Sequence, residues 1–155
     1  MKTIVLYATK HGAAAEIAAR IATELDDAGT FDLKQEGIPA LSDFDCVIVG
    51  SSIYAGAFRK EAKSFLAENA DVLCEKKLGL FISGMGEDGA EAFKANVPDE
   101  VLKTAKVADV LGGVFDPAKA GFFERFIMRI VTKKSGFVST ISDDKINEFA
   151  SAMKV

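Results

Sequence analysis

Three stretches of the chain carry residue types that could do chemistry, and each follows an apolar run. The first reads Ala8-Thr9-Lys10-His11-Gly12-Ala13-Ala14-Ala15-Glu16. A hydroxyl, a glycine and the unpaired N–H groups of a helix start together form a nest for an anion, because the donors and the helix dipole both favour negative charge there. Thr9 can donate its hydroxyl, and Gly12 lets the backbone curl around a phosphate without help from an arginine. The same residues also suit a plain strand-to-helix turn with Thr9 as its cap. Lys10 and His11, the only histidine, could add charge beside the anion, but a loop position favours solvent for both.

The other two stretches are Gly50-Ser51-Ser52-Ile53-Tyr54-Ala55-Gly56 and Ser83-Gly84-Met85-Gly86-Glu87-Asp88-Gly89. Neither fits a standard nucleotide motif. There is no GxxxxGK[ST], which excludes a P-loop, and no GxGxxG after the first apolar run, which excludes a dinucleotide fold. A receiver domain needs acidic residues where this chain has Tyr7-Ala8 and Gly50, and a cysteine phosphatase needs a cysteine in the first loop.

Composition narrows the class further. At 155 residues, 49% apolar and 27% charged, the chain suits one globular domain spanning 1–155. A net charge of -4 argues against a nucleic-acid partner. Cys46 and Cys74 form no CxxC pair and have no histidine nearby, so no metal centre is expected, and Cys46 reads as a buried, inert thiol. No apolar run reaches the roughly 18 residues needed to span a bilayer, and the N-terminus reads as a strand rather than a leader, which implies a cytoplasmic protein.

Elements must position these loops, and they alternate along the chain. Strands are expected at Thr3 to Tyr7, Phe31 to Gln35, Cys46 to Val49 (ended by Gly50), Leu78 to Ile82 and Val110 to Phe115. Helices are expected at about Ala13 to Ala28 (closed by Gly29), Phe58 to Asn69, Glu91 to Asn96, Pro98 to Ala105, Ala120 to Lys134, and from an N-cap at Ser142 to the end. That order implies an α/β fold with a doubly wound parallel sheet of five strands. Ligands in such sheets bind outside the carboxyl ends of the strands, which is where the three loops fall.

Val5-Leu6-Tyr7-Ala8-Thr9-Lys10-His11-Gly12, followed by Ala18, resembles the phosphate signature of the flavodoxin family. The resemblance implies strand order 2-1-3-4-5 and one FMN as cofactor. It assigns the flavin phosphate to Thr9, Lys10, His11, Gly12, Ala13 and Ala14, with Ser51 and Ser52 as further donors. One wall of the ring falls to Ile53, Tyr54, Ala55 and Gly56, with Tyr54 as the stacking aromatic. The other falls to Ser83, Gly84, Met85 and Gly86, where a peptide could flip to meet the flavin N5. Glu87 and Asp88 beside it would disfavour an anionic reduced flavin; they also suit a plain acidic turn. The family usually has Thr where this chain has Ala14, and one lost hydrogen bond to a charged group costs about 1.5–3 kcal/mol, or ten- to a hundredfold in affinity.

Phe122 to Gly136 places Arg125, Arg129 and Lys133 at helical spacing beside Phe122, Phe126 and Ile130. Such a helix can cover the sheet, the expected use, or lie on an anionic membrane surface. Together with Gly50-Ser51-Ser52-Ile53-Tyr54 and the last helix, it resembles the flavodoxin-type, quinone-linked protoporphyrinogen dehydrogenases. That resemblance implies an oxidoreductase drawing electrons from a reduced substrate and delivering them to a quinone, peripheral to the membrane through 122–134. The longer insertion of those enzymes is replaced here by the compact stretch from Gly84 to Lys106. An electron carrier with a redox partner protein, and a module that kept the fold with little FMN affinity, are the alternatives.

Overall fold

The computed structural model describes residues 2–26, 28–84, 89–115 and 138–155. Within them, β1 (Thr3–Ala8), β2 (Gly29–Asp32), β3 (Cys46–Tyr54), β4 (Ala57–Phe58), β5 (Lys77–Ser83) and β6 (Val107–Val110) build the main sheet. Five of them run parallel in the order β2-β1-β3-β5-β6, while β4 folds back antiparallel on β3. This is the doubly wound arrangement that the alternating pattern implies, with strand order reversing between β1 and β3. A separate antiparallel pair, β7 (Val114–Phe115) with β8 (Val138–Ser139), lies beyond the sheet.

Alternation along each strand sends side chains to opposite faces, and both are buried. Ile4, Leu6, Val47, Val49 and Leu80 face one way, toward α2 (Lys60–Glu68), α3 (Ala70–Leu73), α4 (Ala90–Asn96) and α5 (Asp99–Thr104). Val5, Cys46, Ile48 and Phe81 face the other, toward α1 (Ala13–Glu24) and α6 (Asp143–Lys154). Each fully buried aliphatic side chain contributes about 1.5–3 kcal/mol, so the two cores hold the strands in register. Ser142 caps α6 as expected, accepting a hydrogen bond from the Lys145 amide at 3.2 Å. Burial pushes the Cys46 thiol above its ordinary pKa, in keeping with an inert role.

Several boundaries differ from the sequence expectation, each for a physical reason. Gly50 does not end β3, which runs four residues further to Tyr54. A methyl group on Gly50 would lie 2.0 Å from Phe81 Cζ, so the glycine makes room for an aromatic ring packed across the sheet. Helix α1 stops at Glu24, where Leu25 turns extended and buries its side chain, and Gly29 opens β2 rather than capping the helix. Phe58 belongs to β4, and α2 begins at Lys60. The fifth sheet strand is Val107–Val110, earlier than expected, because Gly112 takes φ +96° and breaks the run before Val114. The helix expected over 120–134 lies outside the described residues.

Candidate functional site

The carboxyl ends of β1, β3 and β5 come together at the point of strand reversal. Ala8 pairs with Ser51, and Ser52 with Ser83, so the loop after β1 sits beside the last residues of β3. Gly12 forms the N-cap of α1 with φ +99° and no side-chain cap. A methyl there would meet nothing within 4 Å, so the glycine serves the left-handed turn and leaves open space in front of it. The first amides of α1 consequently open toward the loop without a capping group, a ready anion nest.

Two hydroxyls edge that nest. Thr9 Oγ1 accepts from the Gly12 amide at 2.8 Å, and Ser52 Oγ accepts from the Lys10 amide at 3.1 Å. Each hydroxyl is thereby fixed through its oxygen and retains a proton to donate. Ser51 differs from the expectation that it serves a ligand. It is fully buried, its hydroxyl donates to the Ser52 carbonyl at 2.8 Å, and its oxygen accepts from the Arg59 amide at 2.9 Å. Its single proton goes to the neighbouring carbonyl in β3, and its oxygen ties the strand to Arg59 at the head of α2.

The other expected phosphate residues take distinct positions. Ala14 is fully buried in the core under α1, and Ala13 is half-buried, so each offers only its amide. His11 is half-buried. Lys10 is exposed, and its ammonium rests 4.4 Å from the centroid of the Tyr54 ring. A contact of that kind contributes about 0.5–1 kcal/mol at an exposed site.

Tyr54 ends β3 and is 40% exposed, an aromatic ring at the mouth of the site with the Lys10 ammonium over it. Behind it the chain turns through Ala55 and Gly56, at φ +51° and +80°, before β4 pairs back. Positive φ at both turn positions matches the twist of a two-residue hairpin. Sequence reading missed the residue that anchors this hairpin, Asn96 at the end of α4. It is 5% exposed; its amide donates to the Gly56 and Ala92 carbonyls at 2.9 and 2.8 Å, and its oxygen accepts from the Phe58 amide at 3.1 Å. The available signal was a polar side chain on the inward stripe with Ala92 and Phe93.

The loop after β5 closes the opposite side. Ser83 is buried, and the Gly84 amide donates to the Gly112 carbonyl at 3.0 Å. A methyl on Gly84 would lie 2.6 Å from Ile53 Cγ2, and one on Gly113 would lie 2.9 Å from the Gly84 carbonyl carbon. Thr140 holds Gly113 by accepting its amide at 3.0 Å on Oγ1 and donating its own amide to the Gly113 carbonyl at 2.8 Å. Ile53 therefore packs on this loop and leaves Tyr54 as the open wall. Met85 and Gly86, with Glu87 and Asp88, lie outside the described residues.

The donor set suits a phosphate monoester carried by a planar ring: neutral hydroxyls and amides at one end, an aromatic face at the other. Among the described residues no group of three His, Cys, Asp or Glu side chains gathers to hold a metal ion.

Comparison with solved structures supports the fold. The chain superposes on the rubredoxin oxygen:oxidoreductase of the anaerobe Desulfovibrio gigas with a TM-score of 0.59 and 13% identity, covering 99% of this chain and 34% of that one. It thus spans about a third of that protein. A flavodoxin from the domain Archaea matches over 99% of this chain and 94% of its own, with a TM-score of 0.55 and 16% identity. A flavoprotein from Lactobacillus acidophilus, solved in complex with FMN, matches over 72% of this chain and 91% of its own, with a TM-score of 0.52 and 15% identity. No curated protein matches the chain by sequence. A family model described as a flavodoxin domain matches residues 4–139.

Proposed function

Because the chain belongs to the flavodoxin domain family, we propose that it binds one FMN at the carboxyl ends of β1, β3 and β5 and acts as a redox protein. The observation that carries this reading is the meeting of an uncapped helix start, shaped by Gly12 and edged by the Thr9 and Ser52 hydroxyls, with the exposed ring of Tyr54. The phosphate would take the first amides of α1 and the two hydroxyl protons. Tyr54 would exclude water from one ring face, and the backbone at Gly84, with Met85 and Gly86 after it, would meet the ring edge. When bound, FMN supplies reversible uptake and release of electrons, and the protein sets its position and potential. Ala14 removes one hydroxyl from this scheme, so the binding rests more heavily on Thr9 and Ser52.

The finer reading, supported by Gly50-Ser51-Ser52-Ile53-Tyr54 and the segment 122–136, is an oxidoreductase of the protoporphyrinogen dehydrogenase kind. It would take electrons from a reduced porphyrinogen and deliver them to a quinone, meeting an anionic membrane surface through 122–134. No described helix is long and apolar enough to cross a membrane. The compact stretch from Gly84 to Lys106 favours a second reading, a carrier that exchanges electrons with partner proteins.

Titration of FMN with the purified protein tests the cofactor, with quenched flavin fluorescence as the expected result. Unchanged fluorescence at high micromolar protein would remove the reading. Anaerobic turnover of protoporphyrinogen with a menaquinone analogue then separates enzyme from carrier.

A further inference from the structure

Lys10 is tied at both ends of its length. Its backbone amide is held by Ser52 Oγ at 3.1 Å, and its ammonium lies 4.4 Å from the centre of the Tyr54 ring. A lysine serving the phosphate would extend toward the start of α1; this one extends instead over the aromatic wall. The backbone that carries Tyr54 is held in turn, because Asn96 anchors the hairpin behind it at the Gly56 carbonyl and Phe58 amide. One positive charge therefore rests beside the surface on which a flavin ring would stack.

We propose that Lys10 is a built-in countercharge to the flavin ring, making the site hold reduced FMN more tightly, relative to oxidised FMN, than it would without that side chain. This rests on the FMN reading above. Each electron that an external donor delivers adds one negative charge to the ring unless a proton follows it. An ammonium stationed on the wall against which the ring would stack favours that added charge. The Tyr54 face attracts the ammonium by its own electron density and so stations it there before any ligand arrives.

The test compares the full chain with Lys10→Met and Lys10→Arg. Oxidised FMN affinity is read by fluorescence, and midpoint potentials by anaerobic spectroelectrochemical titration with dithionite. In Lys10→Met, oxidised FMN should bind nearly as before, while the reduced form loses about tenfold more affinity than the oxidised, a fall of about 59 mV for a one-electron couple. Lys10→Arg should keep the parent potential. Equal weakening of both redox forms would reassign Lys10 to the phosphate and overturn the proposal. So would unchanged potentials, or a loss in Lys10→Arg matching that in Lys10→Met. Failure of the parent chain to bind FMN would show before any variant is made, and would strike the flavin reading itself.

Discussion

The side-chain amide of Asn96 donates to the Gly56 carbonyl at 2.9 Å, across a sequence separation of 40 residues. Through this bond and the Phe58 amide, α4 fixes the hairpin that presents Tyr54. Asn96→Ala would take the side-chain partner from the buried Phe58 amide and from the Gly56 carbonyl. The expected cost is about 2–3 kcal/mol, measured as a lower urea midpoint. FMN affinity should fall with it even at temperatures where the fold is intact. Asn96→Asp should restore neither, since it keeps the acceptor and loses both donor hydrogens.

At the phosphate end, Thr9→Val removes both the proton offered to a ligand and the oxygen that accepts from Gly12. FMN binding should weaken about ten- to a hundredfold, with stability changed by no more than about 1 kcal/mol. Ser51→Ala should behave the other way round. Its hydroxyl is spent inside the protein, so stability falls while FMN affinity of the folded fraction holds.

Gly50→Ala would place a methyl group 2.0 Å from the Phe81 ring, in a sheet whose neighbours on both sides are fixed. Overpacking of this kind costs about 3 kcal/mol or more. A thermal melt should show a large fall in Tm. The double change Gly50→Ala with Phe81→Leu should recover part of that loss, because the smaller side chain releases the clash.

Alkaline pH should destabilise the fold in a specific sense. Burial raises the pKa of the Cys46 thiol, and burial followed by the Asp32 charge raises that of the Tyr7 hydroxyl. A folded chain that keeps protons which the unfolded chain releases has its full stability below the unfolded pKa values and loses it as pH rises past them toward the folded ones. Urea midpoints should be level up to about pH 8 and decline from about pH 9 upward. A midpoint that rises over that window would contradict the assignment.

The cores were legible because runs such as Cys46-Val47-Ile48-Val49 can only be strands buried on both faces, and their spacing by helical segments dictates parallel pairing. The loop at Thr9 to Gly12 was legible for a related reason: residue types that curl a backbone stood directly after a buried strand. What escaped were effects of one element on another. Gly50 read as a stop because its partner, Phe81, lies on a different strand. Ser51 read as a ligand donor because nothing local reveals that the Arg59 amide takes its oxygen. Asn96 is silent as a letter and acquires meaning only when α4 lies against the hairpin.

Gly113 lies so close to Gly84, and Gly112 to the Thr140 carbonyl, that no side chain fits at either glycine, and Thr140 clasps Gly113 through its hydroxyl and amide. The tail thus supports, through Gly113, the loop that closes the site. Thr140→Val would spare Thr9, Ser52, Tyr54 and the core under α6 yet loosen the floor under the β5 loop. Fusion tags and truncations at that end should accordingly be chosen as though they were edits to the ligand site.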